Sequence, residues 1–162
     1  MKDLTAIAEK VAAELIARKQ TIAVAESSAG GLISAALLAV PGASAYFLGS
    51  AVVYTRDARR ILMDISDDTM RSERFRSSSE PYAELLARQI RERFSCDWGL
   101  SETGAAGPGG NRYGDAAGHS CIAIAGPHQA VMTLETSAAD RLENMHVFAS
   151  TALTFLLKNL TK

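Results

Sequence analysis

A chain of 162 residues, 48% of them hydrophobic, can bury one substantial core and is short for two. Its formal net charge of −1 gives no bulk attraction to nucleic acid or an anionic membrane, so any anion site has to be local. No apolar run reaches the roughly 18 residues of a membrane span, and Cys96 and Cys121 stand apart in hydrophobic surroundings without metal-ligand spacing, which reads as buried thiols in a cytoplasmic chain.

Leu4, Ile7, Ala8, Val11, Ala12, Leu15 and Ile16 recur at helical spacing and predict an amphipathic helix over 4–18. Thr21 to Ala25 is a short β-compatible run, and helical periodicity resumes from Gly30 to Val40, where Pro41-Gly42 interrupts it. Between them, Glu26-Ser27-Ser28-Ala29-Gly30-Gly31 delivers two serines to a helix N-terminus. Backbone N–H groups at such a terminus lack intrahelical partners and carry partial positive charge, so the turn suits a phosphate, a carboxamide oxygen or a developing oxyanion.

Residues 45–54 predict a second strand, 56–63 a short helix, and the polar, serine-heavy 67–79 a surface loop. Glu80-Pro81 opens a helix through Phe94, because proline is tolerated in a first turn and Tyr82, Leu85, Leu86 and Ile90 share a face. A short strand over 97–100 runs into Ser101 to Asn111, where Gly104, Gly107, Gly109 and Gly110 let backbone approach a ligand. Residues 118–125 and 129–136, split by Gly126-Pro127-His128, read as a hairpin, and 140–157 as a covering helix. The expected architecture is a three-layer α/β/α sandwich on a mixed sheet, with both glycine-bearing turns at a crevice along the strand ends.

Five ordered segments give the chain a resemblance. They are Ala25 to Gly31, Val40-Pro41-Gly42-Ala43-Ser44, Val52-Val53-Tyr54-Thr55, Ser79-Glu80-Pro81, and Thr103 to Gly110. Over nearly its full length the chain resembles the C-terminal domain of the competence/damage-inducible CinA family, where the first and last segments read Ala-Glu-Ser-Cys-Thr-Gly-Gly and Thr-Gly-Ile-Ala-Gly-Pro-Gly-Gly. Characterised members hydrolyse the carboxamide of nicotinamide mononucleotide by a serine–lysine mechanism. The resemblance therefore implies a roughly five-stranded mixed sheet between helical layers, no cofactor, a small phosphorylated nucleotide as partner, and a homo-oligomer. It also implies a single domain over 1–162, without the metal-dependent domain that precedes it in full-length members.

Carried over by position, the nucleophile falls on Ser27, the motif tyrosine on Tyr54, the oxyanion-side threonine on Thr103 and a substrate-phosphate arginine on Arg141. Further substrate contacts fall on Glu26, Ser28, Gly30, Gly31, Gly104, Gly107 and Gly109. The family lysine falls on Arg59, and an arginine stays protonated near neutral pH, so the serine–lysine dyad is broken. Two functions follow: an amidohydrolase with altered chemistry, or a nucleotide-binding or sensing module without turnover.

Single residues carry alternatives of their own. Ser27 is a nucleophile, a helix N-cap or a ligand contact, and Tyr54 orients substrate, relays a proton or is an amphipathic strand-end residue with a wet hydroxyl. Glu26 is a base in place of lysine, or a carboxylate that the helix terminus keeps anionic and weakly basic. Arg56, Arg59 and Arg60 grip a phosphate or line a solvated helix face. His119, His128 and His146 have no metal-ligand spacing, and no metal is expected.

Overall fold

The computed structural model describes residues 1–162. Its strands are β1 (Ile22–Glu26), β2 (Phe47–Val52), β3 (Trp98–Ala105), β4 (His119–Ala125) and β5 (Gln129–Glu135). Its helices are α1 (Lys2–Arg18), α2 (Leu32–Leu38), α3 (Arg56–Met63), α4 (Asp67–Ser72), α5 (Glu80–Phe94) and α6 (Arg141–Leu160). The strands form one sheet in the order β2-β1-β3-β4-β5. β1 runs parallel to β2 and β3, whereas β4 is antiparallel to both its neighbours, so the sheet is mixed as the hairpin signal predicts.

Side chains alternate across a strand, and in β1 that alternation separates two different cores. Ile22 and Val24 join α1, α2 and α6 in the larger core, together with Leu100, Ile122 and Ile124. Ala23 and Ala25 face the opposite way, toward Met63, Tyr82, Leu86 and Ile90. Small residues let α5 sit close on that second face: a Cβ on Gly99 would lie 2.0 Å from the Ala87 carbonyl oxygen, so only glycine fits there.

The parallel register positions the site. Glu26 pairs with Val52 and Ala25 with Ser101, so the ends of β1, β2 and β3 bring Ser27, Tyr54 and Thr103 to the same edge of the sheet.

Two expectations are corrected. The stretch predicted as a loop begins with α4, because the Ser66 hydroxyl accepts from the Thr69 N–H at 3.0 Å and Asp67 and Asp68 occupy the positive first turn. β3 does not stop at residue 100 but continues to Ala105, since pairing with β4 extends from Gly99–Ala125 to Ala105–His119. Its polar Ser101, Glu102 and Thr103 mimic a turn in composition, yet all three are buried. Smaller shifts occur at α2, which starts only after Gly30 and Gly31 at φ 65° and 97°, and at α6, which runs on to Leu160. Cys96 and Cys121 are buried free thiols, and no helix is long and apolar enough to cross a membrane.

Candidate functional site

The turn from β1 into α2 is organised by two buried carboxylates. Glu26 folds back over the helix start and accepts from the N–H groups of Gly31 (3.0 Å), Ile33 (3.0 Å) and Ser34 (2.8 Å), and from the Ser34 hydroxyl. Glu102, on β3, accepts from the N–H groups of Ser27 (3.1 Å) and Ala29 (2.8 Å), from the Ser120 hydroxyl (3.0 Å) and from the Ser28 hydroxyl. Burial pushes the Glu102 carboxyl up from its ordinary range, against the pull of these hydrogen bonds.

This arrangement overturns the expectation of free amides. The N–H groups of residues 27, 29, 31, 33 and 34 are taken by protein oxygens, so they are not held open for a ligand's anion. The reading of Glu26 as a base fails for the same reason, because its oxygens are committed to four donors that need them. Glu102 escapes the sequence reading altogether. Its only signal is a carboxylate within a run that pairs as a central strand.

Beside the turn lies a cavity of about 350 Å³, at the lower end of the small-molecule range. Ser27, Tyr54, Thr103, Gly104 and Arg59 all line it, which brings the four residues singled out for catalysis to one place. Arg56, Tyr82, Arg112 and Tyr113 complete much of its wall. No lysine, histidine or carboxylate belongs to that lining. Glu26, Ser28, Gly30, Gly31, Gly107, Gly109 and Arg141 do not line it either.

Several of these absences have a structural cause. Glu26 and Ser28 are buried in the cap network, and the space above Gly30 is filled by Met145. Gly109 lies at an exposed tip with no atom within 4 Å of a built Cβ. Arg141 stands outside, donating to the Gly107 carbonyl (2.7 Å) and the Tyr54 hydroxyl (3.2 Å), so it reaches the cavity only through Tyr54.

Arg59 is the least ordinary group in the site. It is 5% exposed although it belongs to a short surface helix, whose start is capped by Thr55 accepting from Ala58 N–H at 3.0 Å. Its guanidinium pairs with Asp67, which also takes Arg56, while its buried Nε finds no partner. Arg60 turns outward and pairs with Asp57 at 3.5 Å, so only part of the arginine run enters the cavity.

The opposite wall is held by the segment after β3. The Asn111 side-chain oxygen accepts from the N–H groups of Tyr113 (2.9 Å) and Asp115 (3.1 Å), and Arg76 clamps Asp115 with contacts of 2.5 and 3.1 Å. Burial raises the Tyr113 phenol, but hydrogen bonds with Ser77 and Arg112 and the charges of Arg112 and Arg59 outweigh it and leave the phenol below its ordinary value. Tyr82 is pushed the other way, to about 12, by burial. The Ser78 N–H donates to the Thr103 hydroxyl at 3.3 Å, so that hydroxyl keeps its own proton to offer. Ser78 is fixed in turn by His119, whose Nε2 lies 2.8 Å from the Ser78 carbonyl oxygen while Nδ1 meets Glu135.

Comparison with known proteins matches residues 4–160 to the CinA C-terminal domain. The chain belongs to the CinA C-terminal domain family. A CinA-like protein of Prochlorococcus marinus is 37% identical over 133 residues, 80% of this chain and 31% of that protein. One from Desulforapulum autotrophicum is 37% identical over 153 residues, 94% of this chain and 36% of that protein. The chain thus spans about a third of the length of these CinA-like relatives. Among solved structures, a CinA superfamily protein from Escherichia coli superposes with TM-score 0.89 at 25% identity, covering 98% of this chain and 91% of that one. A competence/damage-inducible protein from Agrobacterium tumefaciens does so with TM-score 0.89 at 26% identity, covering 99% and 96%. The mixed five-stranded CinA sheet is therefore the fold of this chain.

Proposed function

We propose that this CinA-type chain binds a small phosphorylated amide of the nicotinamide mononucleotide kind and hydrolyses its amide through Ser27. The observation that carries this reading is the convergence of Ser27, Tyr54 and Thr103 on one cavity walled by arginines. In the reaction, the Ser27 oxygen attacks the carboxamide carbon and the Thr103 hydroxyl donates to the oxygen that becomes negative. The carbon–nitrogen bond then breaks, ammonia leaves with the proton that the serine gave up, and water cleaves the resulting ester.

With Arg59 in the lysine position the proton transfer is the slow element, since a missing base costs about 10²–10⁴ in rate. A second reading, binding without turnover, is favoured by one specific observation: the lining holds no lysine, histidine or carboxylate. Ammonia release from nicotinamide mononucleotide separates the two. The hydrolase reading expects a slow wild-type rate, its loss in Ser27→Ala, and an increase of at least about tenfold in Arg59→Lys. Identical background rates in all three proteins reject it and leave saturable binding as the function to be measured.

A further inference from the structure

A second cavity, about 180 Å³, adjoins the first and shares Arg56, Arg59 and Arg112 with it. Arg71 and Arg76 complete a set of five guanidinium groups, and Asp67 is the one carboxylate in its lining. The partners in the fold do not balance this charge. Asp67 serves both Arg56 and Arg59, Asp68 pairs with Arg71 and Asp115 with Arg76, so three carboxylates face five cations. Arg112 has no carboxylate at all; it lies 5.4 Å from the Tyr113 ring centroid and 3.4 Å from the Tyr113 hydroxyl.

Cations gathered around one small space repel one another and favour an anion between them, although water screens the exposed Arg56 and Arg71, and the chain as a whole carries a net charge of −1. The concentration is thus local, as an anion site requires. Arginine's planar fork matches phosphate oxygens with paired hydrogen bonds. Arg59, which lines both cavities, has a buried Nε without a partner. The volume corresponds to roughly six water molecules, which is room for a few phosphate groups.

We infer that this second cavity is an anion subsite for a diphosphate, so that a nucleotide with a pyrophosphate linkage fills both cavities and the mononucleotide of the proposed function fills them only in part. The inference rests on the proposed function only for the end of the ligand that reaches Ser27. The sequence reading put the substrate phosphate on Arg141, but Arg141 lines neither cavity. Recognition of the charged part of the ligand passes instead to α3, α4 and the Asn111–Asp115 turn.

The test is calorimetric titration of the whole protein with inorganic phosphate, inorganic pyrophosphate, nicotinamide mononucleotide and nicotinamide adenine dinucleotide at constant ionic strength. Pyrophosphate is expected to bind saturably and more tightly than phosphate, to compete with the dinucleotide, and the dinucleotide to bind at least about tenfold more tightly than the mononucleotide. Arg112→Gln should weaken pyrophosphate about tenfold, and the exposed Arg71→Gln, which is not expected to disturb folding, about fivefold. Pyrophosphate binding no tighter than phosphate, or unaffected by both substitutions, overturns the inference.

The two readings fail separately. Pyrophosphate binding that persists without any mononucleotide binding or ammonia release keeps the subsite and sinks the proposed function. Ammonia release from the mononucleotide with no pyrophosphate binding does the reverse.

Discussion

Replacing Glu102 tests whether a buried carboxylate shapes the serine turn. Its oxygens divide their work: Oε2 accepts from the backbone N–H groups of Ser27 and Ala29, and Oε1 from the hydroxyls of Ser28 and Ser120. Glutamine has one acceptor oxygen and one donor group, and hydroxyls can reverse direction whereas amides cannot. Glu102→Gln should therefore keep its oxygen on the two amides, turn its NH₂ toward the hydroxyls, and cost about 1 kcal/mol. Glu102→Ala strands both amides in a site with 0% exposure, at about 1–3 kcal/mol each. Relief from burying a charge offsets part of that, which leaves a net loss of about 3 kcal/mol. At about 2–4 °C per kcal/mol for a domain of this size, the alanine variant should melt on the order of 10 °C lower. Urea unfolding and thermal melts of both variants measure this. An alanine variant within about 1 kcal/mol of wild type, or a glutamine variant as damaged as alanine, refutes the division of labour between the oxygens.

Other expectations follow from single groups. Both nitrogens of His119 face acceptors, which favours the protonated ring; burial lowers its pKa but Glu135, Ser78 and Asp115 together raise it above the ordinary value. Its stabilising contribution is complete below about pH 6.5 and is lost as pH rises through the raised folded-state pKa, and urea midpoints should show this slope in wild type and lose it in His119→Asn. The Tyr113 phenol should titrate below the ordinary value of about 10, read as tyrosinate absorbance that disappears in Tyr113→Phe and moves back upward in Arg112→Gln. A Cβ at Gly104 would lie 2.3 Å from the His119 carbonyl oxygen and 2.9 Å from Ser120 Cα, so Gly104→Ala should cost about 1–3 kcal/mol in urea unfolding. A neutral result there would mean that β3 and β4 can separate without penalty.

Much of the fold is legible in the sequence because apolar spacing is a direct record of which side faces a core. α1, α5 and α6 show helical spacing, and the β4–β5 hairpin is marked by its Gly-Pro turn. The failures share one cause: composition does not reveal a tertiary partner. Ser101, Glu102 and Thr103 look like turn residues until β4 is placed beside them, and the polar stretch after residue 66 becomes helical because Ser66 caps it. The site divides in the same way. Ser27, Tyr54 and Thr103 could be named because segment matches fix them, and the parallel register then assembles them. Arg112 and Tyr113 carry no signal until the turn around Asn111 folds them back over the cavity.

The two glutamates that close the serine turn also separate the scaffold from its specificity. Because Glu26 and Glu102 satisfy the helix start from within, the turn holds its shape without a ligand. The arginines lie elsewhere, on α3, α4 and the segments after α4 and β3, outside the hydrogen-bonded sheet. Exchanges among these side chains would leave the frame of the serine turn as it is.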